Sequence, residues 1–274
     1  MEMTIQELCD RIGLQKEISG GVLVFADSFD FGIINEYLCD FRNYDKMGDA
    51  RIKIQNILGD DEKNIKILTC MLKGAVDAYS FYQTKGISDE IFISTMKCFT
   101  RFIDECHKMT GTYAFDREWW TTRQVGCHLF RIGELEYEMK YADGKPVIEI
   151  HIPSDADFSK EACDNSLNLS YSFFAEYFPV YKDCEYRCHS WLLAPELKNM
   201  LSCKSNIINF QNRFKIIEKG EPDTEFIEWL YNTRTVDYMS LPETTSLQRN
   251  MKSYLLNGGT IGNALGILIK SIKM

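Results

Sequence analysis

Four side chains near the middle of the chain have the types and spacing for proton transfer: Glu136, Glu138, Glu149 and His151. They lie on two extended runs, 129–141 and 146–152, joined through Asp143-Gly144, a dipeptide suited to a tight hairpin turn. Such a turn sets Ala142 opposite Lys145, so paired positions sum to 287. Tyr137 then faces Ile150, Leu135 faces Ile152 and Met139 faces Ile148, three apolar pairs on one side of the ribbon. The other side is polar, with Glu136 opposite His151 and Glu138 opposite Glu149. A carboxylate beside an imidazole orients the ring and raises its basicity, which is what a general base needs near neutral pH. Two facing carboxylates repel, and such frustration is commoner where function demands it. The same pattern also suits a solvated sheet face whose Glu–His contact is a surface ion pair of small worth. Residue spacing alone leaves both readings open.

Other clusters carry less chemistry. The chain has ten cysteines and four histidines, and three histidines directly follow a cysteine: Cys106-His107, Cys127-His128 and Cys188-His189. Neighbours on a strand point to opposite faces, so such a dipeptide there cannot chelate through both side chains. The closest cysteine spacing beside a histidine is Cys184-x-x-x-Cys188-His189, and there is no Cys-x-x-Cys pair. The expectation is no metal, with reduced cysteines packed as small hydrophobes. Cys188 and Ser190 share one strand face while His189 points the other way, so neither nucleophile has a base beside it. The run Asn257-Gly258-Gly259-Thr260-Ile261-Gly262 lacks the lysine and following helix of a phosphate loop, and Gly258 more simply ends a helix. Arg234 and Arg249 would help hold an anion but stand singly.

The elements that must position these residues fall into two halves. Thr4 and Glu7 have capping-box spacing before a short helix, and an amphipathic pattern covers Ser28 to Asp40. Asp60 can cap a longer helix on which Ile65, Leu68, Leu72, Ala75, Tyr79 and Tyr82 share one face until Gly86. Ser88 caps the next, with Phe92, Met96, Phe99, Ile103 and Cys106 as its stripe. A connecting helix over Phe115–Gln124 follows. Beyond the hairpin, Ser159 can cap a helix that runs to Phe178, and Glu185–Leu193 reads as a strand. Short helices are expected at Pro195, Ser205–Asn212, Asp223–Tyr231 and Thr245–Leu256, and a last strand at Ile261–Ile269. The expected domains are therefore a helical one over 1–114 and an α+β one over 115–274.

Composition bounds the rest. With 31 Lys+Arg against 40 Asp+Glu, the net charge of −9 argues against a general nucleic-acid binder. The start, Met-Glu-Met-Thr-Ile-Gln-Glu, lacks the basic and apolar runs of a signal peptide, and Ser253–Ile269 is too interrupted to span a membrane. A cytoplasmic protein is expected.

Five segments carry a family resemblance: Leu129-Phe-Arg-Ile-Gly-Glu-Leu-Glu-Tyr137, His151-Ile-Pro153, Ser190-Trp-Leu-Leu-Ala-Pro195, Ser205-Asn-Ile-Ile-Asn-Phe210 and Leu241-Pro-Glu-Thr-Thr-Ser-Leu-Gln-Arg249. They resemble the GNAT-like acyltransferase-domain proteins of bacteria. The resemblance implies an α+β chain, a helical N-terminal domain followed by a GNAT-like mixed-sheet α/β domain. It implies acyl transfer from acetyl-CoA or a longer acyl-CoA to a small-molecule amine acceptor. His151 would be the base, Glu136 its orienting carboxylate, and Tyr171 (or Tyr177) the acid that returns a proton to the thiolate. Ile150 and Ile152, then Ser154 and Ser159, would line the coenzyme. Asp155 and Asp157 stand where the family's pyrophosphate loop carries glycines, and the fragment Arg123-Gln-Val-Gly126 precedes a strand rather than a helix. That departure motivates an alternative, a non-catalytic GNAT-like module that binds another small ligand or a protein partner.

Overall fold

The structure is a computed structural model that describes residues 3–269. Two compact units divide at Ile132/Gly133. The first is helical: α1 (Ile5–Ile12), α2 (Lys16–Ser28), α3 (Asn35–Asp40), α4 (Met47–Leu58), α5 (Ile65–Lys85), α6 (Asp89–Met96), α7 (Cys98–Thr110) and α8 (Glu118–Val125), ending on the short strand β1 (Leu129–Ile132). The caps act where spacing places them: Thr4 accepts from the Glu7 N–H, Ser88 accepts from the Ile91 N–H, and Gly86 closes α5 at φ 74°. Along α5, Leu68, Leu72, Ala75 and Tyr82 are buried as the stripe requires, but so are Ile67, Cys70, Met71 and Ala78. This helix is the centre of its unit rather than a wall. Gly74 permits the close approach of α8, since a Cβ there would fall 2.7 Å from Val125 Cγ1.

Three expectations for this unit are corrected. The helix expected from Ser88 through Cys106 is two, α6 and α7, divided at Lys97. Ser28 ends a helix instead of starting one, because a 3-10 turn over Phe31–Ile34, capped by the Asp30 side chain, separates α2 from α3. Only Ile18 and Val22 of α2 are buried, so Gly20-Gly21 and its thin apolar face hid it in the pattern. At the head of α5, Asp61 rather than Asp60 accepts the Ile67 N–H, at 3.0 Å.

The second unit contains β2 (Leu135–Ala142), β3 (Lys145–His151), α9 (Lys160–Tyr177), β4 (Glu185–Ser190), α10 (Asn206–Gln211), β5 (Phe214–Pro222), α11 (Glu225–Tyr231), α12 (Ser246–Leu256) and β6 (Gly262–Leu268). Its strands lie in the order β2-β3-β4-β6-β5, with β3 and β4 parallel and the other neighbours antiparallel. This is the mixed sheet expected. The hairpin register is also as expected, from Ala142 opposite Lys145 to Glu136 opposite His151. The extended run over 129–141 is interrupted at Gly133, whose φ of 63° turns the chain between β1 and β2.

Helix α9 covers the apolar face of the sheet. Ser166 on this helix accepts from the Leu135 N–H at 3.1 Å and lies 2.9 Å from the Tyr137 hydroxyl. Tyr137, Ile148, Ile150, Tyr186 and Cys188 fill that face, and an aromatic side chain buries about 150–250 Å² in such a place. A second core joins Leu197, Phe226, Ile227, Tyr231, Met251 and Leu255 beneath α11 and α12. Helix α12 carries the complete Thr245/Gln248 capping box.

Candidate active site

The polar face of the hairpin forms a chain of charges. Nε2 of His151 lies 2.8 Å from Oε2 of Glu138. The same Glu138 oxygen is 4.0 Å from Lys140 Nζ, which donates to Glu149 Oε2 at 2.7 Å. Glu138 and Glu149 are indeed opposite one another, and the lysine between them relieves the repulsion. Glu138 is 1% exposed and Glu136 2%, which weakens solvent screening of the His151–Glu138 contact and sets it apart from a surface ion pair.

Spacing placed Glu136 beside His151, and the strand register agrees. The 2.8 Å contact nevertheless goes to Glu138, the diagonal neighbour two residues along β2. Diagonal positions lie within reach of long side chains. Direct pairing was legible in the sequence; the choice between direct and diagonal partner depends on sheet twist, and Lys140 was missed with it. An ionised carboxylate only accepts, so beside an ionised Glu138 the Nε2 nitrogen is the donor of this contact.

The parallel pair opens beside this face. Its ladder runs through Val147/Glu185, Ile148/Tyr186 and Glu149/Arg187 and stops there. Both strands run on, β3 to His151 paired with β2, and β4 to Ser190 paired with β6. The result is a wedge between β3 and β4, flanked by Ile150 and His151 on one side and by Cys188, His189 and Ser190 on the other.

Beyond β3 the chain passes Ile152 and the exposed Ser154, Asp155 and Asp157 before entering α9. Ser159 is the N-cap, its Oγ accepting from the Ala162 N–H at 3.3 Å and donating to Asp157 Oδ2 at 3.1 Å. The Ser159 N–H donates to Asp157 Oδ1 at 2.9 Å, and the Asp157 N–H donates to Glu134 Oε2 at 2.8 Å. Two amides of this loop are thus held by carboxylates of the same chain. Ile150 faces α9 and is buried.

Tyr171 lies on that α9 side too. Its ring is 4.9 Å from the ring of Tyr186, which pairs with Ile148 and so points away from the Glu149/His151 face. Burial raises the Tyr171 pKa, with Cys184 adding to it. Tyr177 packs against Phe173 at 5.1 Å. Neither tyrosine is brought to the face that carries His151. Cys188 is fully buried, and burial pushes its thiol far up, with Glu149 contributing. Among the described residues, no group of three or more His, Cys, Asp and Glu could hold a metal ion, and no helix is long and apolar enough to cross a membrane.

A mixed sheet whose parallel strands splay at their C-terminal ends, with a helix starting just beyond, defines a GNAT-like domain. The chain belongs to the family that joins an N-acyltransferase N-terminal domain, matched over residues 3–127, to a GNAT-like C-terminal domain, matched over residues 129–268. Comparison with curated protein sequences returned no match. Solved structures are similar in fold. An acyltransferase in complex with decanoyl-CoA and teicoplanin superposes with a TM-score of 0.81 at 21% identity, over 96% of this chain and 87% of that one. Another, with CoA and 10C-teicoplanin, gives 0.82 at 21% over 96% and 87%. A mutant acyltransferase with octanoyl-CoA gives 0.82 at 20% over 97% and 88%.

Proposed function

We propose that this protein transfers an acyl group from an acyl-CoA to an amine on a small-molecule acceptor. The observation that carries the reading is the wedge between β3 and β4 with the His151–Glu138 pair at its lip. The family's N-acyltransferase domain and the CoA thioesters bound by structures of the same fold support it. In this reading the pantetheine arm enters the wedge along Ile150 and Ile152, and its diphosphate end approaches Ser154 and Ser159 at the start of α9. The amine attacks the thioester carbonyl directly, and Nδ1 of His151 accepts the proton it sheds. Glu138 orients the ring and stabilises the imidazolium, while Glu136 is the residue directly across the strand pair from His151. The acyl-CoA donor and ten cysteines without a disulfide suit a cytoplasmic setting.

Calorimetry with CoA, acetyl-CoA, octanoyl-CoA and decanoyl-CoA tests the reading, followed by thiol release in an amine library. Binding of at least one thioester, and transfer lost in His151→Ala with the fold intact, is expected. A protein that binds none of them would be a non-catalytic module, the alternative that Asp155 and Asp157 motivate.

A further inference from the structure

We infer that His189 is the group that protonates the departing thiolate, working from the lip of the wedge opposite His151. The inference rests on the acyl-transfer reading and supplies the acid that reading lacks on this face of the sheet. Three observations lead to it. The last ladder pair is Glu149/Arg187, so two residues further along each parallel strand stand His151 and His189. Both strands keep regular pairing on their other edges to these positions, His151 with Glu136 and His189 with Leu265. Side-chain alternation therefore holds, and both imidazoles project from the face of Glu149 and Arg187, away from α9. On β4 the alternate residues Tyr186 and Cys188 are buried while His189 is exposed. Two histidines thus stand just past the last β3/β4 ladder pair, on the same side of the sheet.

That placement divides the labour of a direct transfer. The amine nitrogen forms a bond to the thioester carbon, and its surplus proton passes to His151. As the tetrahedral intermediate collapses, the C–S bond breaks with its electron pair going to sulfur. The imidazolium of His189 gives that sulfur its proton, so an amide and a free thiol leave. Proton exchange with water restores both rings to their starting states. An alkyl thiolate is more basic than an aryl thiolate carrying a nitro group, so its departure gains more from a proton donor.

The test compares thiol release from decanoyl-CoA and from the decanoyl thioester of 4-nitrothiophenol, with hydroxylamine as the acceptor. In His189→Gln, release from decanoyl-CoA should fall about 10²-fold or more, while the aryl thioester should lose less than about threefold. His151→Ala should slow both donors alike, and the exposed position of His189 should leave the melting temperature of His189→Gln unchanged. Equal losses with the two donors, or no loss with either, would overturn the assignment. Failure of the unaltered chain to release thiol from acetyl-CoA, octanoyl-CoA and decanoyl-CoA alike, with hydroxylamine and with the amine library, would overturn the acyl-transfer reading itself, and the role of His189 with it.

Discussion

Replacing Glu138 by glutamine removes one charge while keeping the size and shape of a side chain that is 1% exposed. If Glu138 acts on the reaction only through His151, the cost follows from their 2.8 Å contact. A hydrogen bond to a charged group is worth about 1.5–3 kcal/mol, and each 1.36 kcal/mol in the barrier is a factor of ten. Glu138→Gln should therefore lower kcat about 10- to 100-fold and leave KM for acyl-CoA nearly unchanged. His151→Ala removes the base itself and should cost about 10²- to 10⁴-fold. The two losses should not multiply: in the His151→Ala background, Glu138→Gln should have no further effect. Lys140 keeps Glu149 at 2.7 Å in either variant, so the charge chain does not collapse. The assay is continuous thiol release at saturating acyl-CoA, with melting temperatures as a fold control. Losses that multiply in the double variant would show that Glu138 works on substrate or fold rather than on the ring.

Three further outcomes follow from local physics. Thiol reagents at neutral pH should label Cys39 and Cys203 quickly and the other eight cysteines only on unfolding, because burial pushes Cys9, Cys70 and Cys127 up to about 12. Gly133→Ala should destabilise the protein by about 1–3 kcal/mol in urea titration, since φ is 63° and the new Cβ would lie 3.1 Å from Ser166 Cβ. The Tyr79 hydroxyl, and then Arg11, hold the Asp89 carboxyl below its usual range. Its stabilising contribution is complete above the unfolded carboxyl pKa of about 3.9 and disappears as pH falls through the depressed value. The stability gap between the native chain and Asp89→Asn should be flat near neutral pH and close under acid.

The sequence disclosed what short-range rules decide. The hairpin register was readable because alternation and the Asp143-Gly144 turn agree on one pairing. Helix starts at Ser88, Ser159 and Thr245 were readable because a cap is a local hydrogen bond. Strand β5 was not, because Lys215, Glu218, Lys219 and Glu221 dilute its apolar pattern; charges are usual on an edge strand, which must avoid pairing with other chains. At the site, His151 and its polar face were legible, but Glu138 as its partner was not. Diagonal contacts and the end of a parallel ladder are long-range properties of a twisted sheet, with no signature in residue spacing. The opposite placement of Tyr171 had the same cause, since the side of the sheet on which α9 packs is set by the crossover from β3 to β4.

Asp157 turns the loop before α9 into a test of how the coenzyme lies. Its carboxylate takes the Ser159 N–H and Oγ, while its own N–H is taken by Glu134. A helix N-terminus offers its first amides to an anion, and here internal carboxylates stand just before them, on the Asp157 and Ser159 amides. A diphosphate drawn in beside Asp157 would meet a like charge. Two negative charges about 7 Å from one carboxylate in a largely aqueous dielectric repel it by about 1 kcal/mol, roughly a fivefold loss of affinity. Asp157→Asn should therefore tighten CoA binding about fivefold at low salt and leave the affinity for pantetheine, which carries no phosphate, unchanged. Raising the salt concentration should shrink the gain, as screening requires. Calorimetry with the two ligands on both proteins measures the ratio. Should CoA and pantetheine respond equally to the substitution, the diphosphate does not approach the head of α9, and Ser154 and Ser159 lose their place in the coenzyme site.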